Sequence, residues 1–310
     1  MIAELSSLSG SGLSPEDLIR GVKDLPCAPK VLPRLKRVLG DANASLDEIV
    51  GLIRLDPAIA ARVLQVAHSA YYSQGLRSLS IEMAVQRIGF AEVYDLVSYA
   101  VASQVLIRPL EVYSIEADEL WRQSVACALA AECLAARTGE DRQVAYTVGL
   151  LHGLGMVVVN AWSREHAPML RLSTAGLPRE ATEAERSFFG FTHAEVGSAL
   201  LRDWEFPLSM SEPVRWQYVP RASVGHVRMA SLLLAAKWLR SAACAPTAVP
   251  PPLPDPGHLQ PLGLNPAVLP VMVPDVVRRL KEVSSLLDLA LPFQAAEGRH
   301  RFPVPPGHAA

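Results

Sequence analysis

Apolar residues recur at intervals of three and four along most of this chain, and the two-residue alternation of half-buried strands is nearly absent. In the segment SLDEIVGLIRLDP, Ser45 and Glu48 have the spacing of a helix-starting capping box, and the apolar residues that follow share one face. Asp56 and Pro57 then start the next helix, because Asp caps a helix start and proline at the first turn forfeits no hydrogen bond. These patterns predict an all-α protein.

The longest apolar run is AYTVGLLHGLGMVVVNAW, residues 145–162, with His152 in its middle. Its length is close to that of a membrane-spanning helix, but its three glycines, its histidine and its asparagine favour a buried core helix. Gly149, Gly153 and Gly155 each weaken a helix by roughly 1 kcal/mol relative to alanine. We therefore expect close approach of neighbouring helices to compensate for them.

Composition narrows the functional classes. The 310 residues include 29 basic and 31 acidic ones, well mixed and with a formal net charge of -2, so no strongly basic face is expected for nucleic acid. Four cysteines lack CxxC spacing, and Cys127 and Cys133 fall in an apolar helical pattern typical of reduced core thiols. The N-terminus shows no basic region followed by an apolar block, which predicts no signal peptide and a cytoplasmic location.

Proline content divides the chain. Seven prolines fall between Pro246 and Pro261, and this density predicts an extended linker over 241–270. A C-terminal helix and a disordered tail are expected over 271–310, and a flexible start over 1–12. The main helical body is therefore predicted over 13–240.

Six segments of this body occur in the order found in one known family. They are DLPCAPKVLPRL, ASLDEIVGLIRLDPAIAARVLQVAHSAYY, SLSIEMAVQRIGFAEVYDLV, LWRQSVACALAA, AYTVGLLHGLGMVVV and FGFTHAEVGSALLRDWEFP. Together they resemble the HDOD domain, a helical bacterial signalling module related to the HD and HD-GYP metal phosphohydrolases. The resemblance implies a multi-helical bundle of HD-superfamily type, with an N-terminal helical subdomain at 13–110 and an HD-like helical core at 111–240.

The related hydrolases hold divalent metals with a histidine on one helix, a His-Asp pair on another, further histidines and a distant aspartate. The resemblance places Gln123 at the first histidine of this set. It places His152 at the paired histidine, but Gly153 at the aspartate beside it. His193 matches a later histidine.

The remaining ligand positions also differ from the hydrolase pattern. Trp216, Gln217 and Tyr218 stand where the resemblance expects a histidine pair, and Ser231 stands at the last aspartate. The matched positions thus keep two imidazoles and no carboxylate. Because a dication without an anionic ligand loses most of its electrostatic binding, we expect no metal and no cofactor.

The cleft so emptied is a candidate site for a small ligand, mostly apolar with a few polar groups. Its candidate residues are Trp121, Gln123, His152, Gly153, His193, Trp216, Gln217 and Ser231. The competing interpretation makes His152 a core histidine that donates to a backbone carbonyl, and His193 a half-exposed residue at a helix start. The tryptophans would then be ordinary core residues.

Three functional hypotheses follow. The first is a non-enzymatic scaffold that binds other signalling proteins, in a two-component or cyclic-di-GMP pathway, without nucleic acid or membrane insertion. The second is a divergent phosphohydrolase of nucleotides or cyclic dinucleotides, which uses both histidines with acids from Asp118, Glu119 or Glu195. The third is a regulator that binds a nucleotide or another small ligand in the cleft.

Overall fold

The computed structural model describes residues 12–20, 31–39, 41, 44–69, 72, 80–90, 92–93, 109–172, 178–244 and 251–286. Within these ranges the regular elements are helical, apart from one isolated β-bridge between Leu110 and Ile115. The predicted all-α fold is confirmed. The predicted flexible start up to residue 11 and the predicted tail from residue 287 lie outside the described residues.

Five helices form the first part of the described chain: α1 Pro15–Ile19, α2 Val31–Leu39, α3 Leu46–Ile53, α4 Pro57–His68 and α5 Ile81–Ile88. The predicted starts of α3 and α4 are present. Ser45 Oγ accepts from the Glu48 amide at 3.1 Å, and the buried Asp56 carboxylate accepts from the Ala58 and Ile59 amides at 2.9 and 3.0 Å. Helix α5 ends at Gly89, whose φ of 83° suits glycine.

The helices of the second part are α6 Ala117–Thr138, α7 Arg142–Leu151, α8 Leu154–His166, α9 Pro178–Phe189, α10 His193–Asp203, α11 Leu208–Arg215, α12 Val227–Cys244, α13 Pro256–Leu259 and α14 Val268–Leu286. Helix α6 is central, since α7, α12 and α14 all pack against it. Helix α1 packs against α10 and α8, so the first helix adjoins the second part of the chain, outside the subdomain predicted over 13–110. The division into subdomains stays a prediction.

An ion-pair network joins the two parts. Arg54, after α3, pairs with Glu132 of α6 at 2.8 Å and with Glu82 of α5 at 3.3 Å. The same Glu132 pairs with Arg279 of α14 at 2.6 Å. The Arg54 guanidinium also lies over the ring of Tyr146, 4.0 Å from its centroid. Because these side chains are half-buried and share partners, they couple better than isolated surface pairs.

The segment predicted as an extended linker over 241–270 differs from that prediction. Helix α12 continues to Cys244, and a helical stretch runs from Pro256 to Leu262, with Leu259 fully buried. The Trp238 indole donates to the carbonyls of Pro251 and Pro252 at 3.1 and 2.9 Å. Proline density removes amide donors but leaves carbonyls as acceptors, and these dock the segment on α12.

The long apolar run passes a length-and-hydropathy test for a membrane span over Arg142–His166, with a mean hydropathy of 1.6. In the fold, 89% of that apolar window is buried by the protein's own helices. Its apolar surface is therefore already covered, as expected for a core segment.

Candidate functional site

The apolar run predicted as one buried helix is in fact two, because the chain turns at His152 and Gly153 between α7 and α8. Side chains replace the backbone hydrogen bonds that would carry a helix through this point. The His152 carbonyl accepts from Gln217 Nε2 at 3.2 Å, and His152 Nδ1 lies 2.6 Å from the Gly149 carbonyl oxygen. The turn therefore falls at the position that resembles the His-Asp pair of the hydrolases.

His152 is buried, and both of its ring nitrogens are engaged. Its Nδ1 donates to the Gly149 carbonyl, the bond expected of a core histidine, so Nε2 is left as the acceptor. That Nε2 lies 3.2 Å from Nη1 of Arg240, which donates to it. Burial, reinforced by Arg240 and Lys237, lowers the pKa of His152 well below its ordinary value of 6.5. The imidazole is therefore neutral.

His193 is the first residue of α10, where Glu195 closes a capping box by accepting from the Thr192 amide at 2.8 Å. The expectation that His193 is half-exposed is wrong, since only 3% of it is exposed. Helix α9 covers it with Glu185, whose two carboxylate oxygens lie 2.8 and 2.9 Å from His193 Nδ1. On the other side, His193 Nε2 lies 3.1 Å from the hydroxyl of Tyr218.

Glu185 is fully buried and is the carboxylate of this cluster. It accepts from the His193 amide at 2.9 Å and from the Tyr113 hydroxyl at 2.5 Å. Burial alone opposes its ionisation, but His193 and the hydrogen bonds it receives hold the pKa of Glu185 below its ordinary value. Burial and the Glu185 charge raise the pKa of Tyr113, which stays protonated as a donor.

Gln217 connects the turn at His152 to α12. It is fully buried, and its Nε2 donates to the carbonyls of His152 and Val214 at 3.2 and 3.0 Å. Its Oε1 accepts from Nζ of Lys237 at 2.8 Å. All the hydrogen-bonding capacity of this amide faces the protein interior.

Lys237 brings a positive charge into the same cluster. Only 7% of the residue is exposed, and its Nζ lies 3.1 Å from the centroid of the Tyr218 ring. Burial, reinforced by Arg240, lowers the pKa of Lys237 well below its ordinary value of 10.5. Lys237 and Arg240 lie one turn apart on α12, so both side chains extend from the same face of that helix toward the cluster.

Glycines place these elements in contact, as predicted for Gly149 and Gly155. A Cβ at Gly155 would lie 1.9 Å from the His193 carbonyl oxygen, so α8 and α10 touch backbone to backbone. A Cβ at Gly149 would lie 2.8 Å from the Ala128 Cα on α6. The close approach at Gly155 sets His193 beside the turn that carries His152.

The structure therefore brings together His152, Gly153, His193 and Gln217 among the predicted site residues, but not Trp216. The Trp216 indole donates to Glu212 of its own helix α11 at 2.8 Å and makes no hydrogen bond to either histidine. A tryptophan next to Gln217 in sequence need not share its direction, because consecutive residues at a helix end diverge in direction.

Of the other predicted pocket residues, Gln123 and Ser231 make no hydrogen bond to either histidine. Gln123 donates to Glu119 of its own helix at 2.9 Å. Ser231 is fully buried, and its hydroxyl has no hydrogen-bonding partner among the residues the structure describes. Helix α12 reaches the cluster through Lys237 and Arg240 instead. Trp121 belongs to α6, and its side chain falls outside the described residues.

The carboxylates expected to assist the histidines are engaged elsewhere. Glu119 accepts from Arg122 at 2.8 Å and from Gln123, and Glu195 closes the cap of α10. The side chain of Asp118 falls outside the described residues. Glu185 was not predicted, because it lies eight residues before His193 on another helix and nothing in the sequence connects the two.

Lys237 and Arg240 were also missed as site residues. The sequence offered one signal: Lys237 interrupts the apolar run MASLLLAAKWL, and a lone charge in a buried pattern needs a polar partner. Across the described ranges, no group of three or more His, Cys, Asp and Glu side chains is arranged to hold a metal ion. Burial raises the pKa of Cys127 to about 11, which keeps this core thiol protonated.

Comparison with known proteins agrees with this architecture. Residues 25–220 match the family model of the HDOD domain, and the chain belongs to that family. An uncharacterized protein of Treponema pallidum (strain Nichols) is 30% identical over 201 residues, which make up 64% of this chain. The chain spans only 38% of the length of that relative.

Two solved structures share the fold. The MmoQ response regulator from Methylococcus capsulatus str. Bath is 22% identical with a TM-score of 0.62, covering 82% of this chain and 99% of that one. A virulence factor (cj0248) from Campylobacter jejuni subsp. jejuni is 19% identical with a TM-score of 0.59, covering 93% and 98%. At these identities the likeness concerns the fold alone. Lys237 and Arg240 lie beyond the residues matched by the family model.

Proposed function

We propose that this chain is a non-enzymatic, cytoplasmic signalling module that acts by binding other signalling proteins. One contact supports this most strongly: Nε2 of His152 accepts a hydrogen bond from the Arg240 guanidinium at 3.2 Å. Since Nδ1 of the same ring faces a backbone carbonyl, Nε2 is the nitrogen that a metal would need. Its lone pair is directed at a cation of the protein.

The residues around the histidines do not fit a divalent metal. A dication in this cleft would meet Arg240 and the buried Lys237, two positively charged side chains, and Gly153 offers no ligand beside His152. Glu185 holds His193 from the Nδ1 side, as an orienting carboxylate does in a metal site, but the opposite nitrogen faces Tyr218. This pattern favours a cleft that has kept its internal hydrogen bonds and lost metal chemistry.

The signalling role is supported by the family and by the description of one structural relative as a response regulator. Its partners would belong to a two-component or cyclic-di-GMP pathway. Affinity capture from the source cell should then enrich the same signalling proteins with the wild type, and not with a variant whose fold is disrupted.

A hydrolysis assay tests the non-enzymatic proposal against its main rival. Purified protein is incubated with cyclic di-GMP or a nucleoside triphosphate, in the presence of Mn²⁺ or Fe²⁺, and products are separated by chromatography. We expect no turnover above a protein-free control. Turnover that disappears in the His152→Ala/His193→Ala double variant, with helical circular dichroism retained, would establish the phosphohydrolase instead.

A further inference from the structure

Lys237 and Arg240 are neighbouring basic side chains, and neither forms a direct ion pair with a described carboxylate. In the described part of the chain, neither side chain has a carboxylate within 4.0 Å, whereas Arg54, Arg122, Arg186, Arg228 and Arg279 each have one. Lys237 is nine-tenths buried and bonds only the neutral Gln217 amide and the Tyr218 ring. Among the described residues, the Arg240 side chain hydrogen-bonds only the neutral His152 imidazole. The direct contacts named for these two basic side chains are therefore all with neutral groups, while Glu185 and Glu119 act on them only from beyond ion-pair distance.

This arrangement is electrostatically unfavourable by itself. Like charges one helical turn apart repel, and burial disfavours the charged form of lysine. The lowered pKa of Lys237, caused by burial and then by Arg240, records both effects. An anion next to both groups would offset the repulsion and favour the ammonium form.

Arg240 is also suited to receive such an anion. The guanidinium has five N–H donors in a planar fork, and within the described residues only the bond to His152 uses one of them. The residue is half-buried, so a ligand can reach it from solvent while part of its charge is shielded from water. The nearby acid Glu119 attracts Arg240 electrostatically, but its carboxylate is bonded to Arg122 and Gln123 and forms no ion pair with Arg240 within 4.0 Å.

We propose that Arg240 and Lys237 form a receptor for the phosphate group of a small molecule, at the edge of the cleft beside His152. Two positive charges match the two negative charges of a phosphate monoester, and the guanidinium fork matches a pair of its oxygens. The inference rests on the proposed function, because a cleft held by cations in place of a metal can bind a phosphate without hydrolysing it.

Isothermal titration calorimetry with inorganic phosphate, adenosine monophosphate and acetate tests this site, at constant ionic strength set with chloride. We expect phosphate or adenosine monophosphate to bind, and acetate to bind much more weakly. Tighter binding of the nucleotide assigns the source as a phosphate ester, and equal binding assigns free phosphate. No heat with either phosphate compound, or acetate binding as tightly as phosphate, overturns the proposal.

Two variants and a control locate the site. Arg240→Gln and Lys237→Met should each weaken phosphate binding at least about tenfold, since each removes a charge-assisted hydrogen bond. Arg278→Gln, on the exposed side of α14, removes one positive charge elsewhere and should bind like the wild type. Arg240→Lys keeps the positive charge but not the planar pair of N–H donors. If the Arg240→Gln variant misfolds, the phosphate affinity of Arg240→Lys is compared with that of the wild type instead. Affinities within twofold of the wild type in these site variants overturn the assignment.

Binding and hydrolysis are separate measurements, so the anion site and the non-enzymatic function can each fail without the other. Phosphate release from adenosine monophosphate by the metal-supplemented protein would contradict the non-enzymatic proposal but leave an anion site standing. Absence of both binding and hydrolysis would remove the anion site and leave the non-enzymatic proposal intact.

Discussion

The substitution Gly155→Ala tests the backbone contact that positions the candidate site. The added Cβ would lie 1.9 Å from the His193 carbonyl oxygen, 2.7 Å from the Gly197 nitrogen and 2.8 Å from the His193 carbonyl carbon. All three are backbone atoms, so no side chain can rotate away. Ordinary contact begins at 3.4 Å, so α8 and α10 must separate by about 1.5 Å.

The size of that separation determines how much the free energy of unfolding falls. Overpacking of a core costs typically about 1–3 kcal/mol, and a clash with rigid backbone belongs at or above the upper end of that range. The higher helix propensity of alanine offsets only about 1 kcal/mol of this destabilisation. We expect the free energy of unfolding to fall by about 2–4 kcal/mol, measured by urea denaturation followed by circular dichroism.

A matched control comes from Gly51, an exposed glycine within α3. A Cβ there meets no atom within 4 Å, so Gly51→Ala should stabilise the protein by about 0.5–1 kcal/mol. The same substitution thus has opposite signs at two helical glycines. If Gly155→Ala unfolds within about 0.5 kcal/mol of the wild type, the close approach of α8 and α10 is not as described.

Three further changes probe the cluster and the fold. Glu185→Gln should lower the free energy of unfolding by about 2–3 kcal/mol in urea titrations, since the amide group would face donors from Tyr113 and His193 that the carboxylate accepts; a neutral effect would contradict the buried network. His152 stays neutral in the folded protein at a pH where the unfolded chain binds a proton, so below pH 6.5 the free energy of unfolding should fall by up to about 1.4 kcal/mol per pH unit because of this residue. His152→Gln should remove that part of the pH dependence in melts across pH. An unchanged dependence of stability on pH would refute it. Asp56→Ala should cost about 1–2 kcal/mol in the same titrations, because two amides at the start of α4 lose their acceptor, and a loss below about 0.3 kcal/mol would contradict that cap.

Local chemistry made much of the fold predictable. Helix starts at Ser45 and Asp56, and the helix end at Gly89, follow from hydrogen bonds within a few residues, so the sequence contains all the partners. The resemblance to the HDOD domain supplied the order of the helices. The docking of the proline-rich segment was not predictable in this way, since Trp238 bonds carbonyls that lie 13 and 14 residues further along the sequence.

The candidate site was predictable only in part. His152, His193 and Gln217 were found because they fall within recognisable motifs. Glu185 lies eight residues from His193 on another helix, and Lys237 lies 20 residues from Gln217, so no local pattern reports either contact. Trp216 was assigned to the cleft from its sequence neighbours, but its indole bonds its own helix.

The central claim, that the two histidines are committed to protein groups and not to a metal, is tested most directly by metal titration. Purified protein is freed of bound metal with a chelator and titrated with Mn²⁺ in a calorimeter, beside the His152→Ala/His193→Ala double variant. The account predicts that the wild type binds no Mn²⁺ beyond the weak binding of the double variant, because Arg240 holds the required nitrogen of His152. Tight binding of about one or two Mn²⁺ per chain that is lost in the double variant would contradict it.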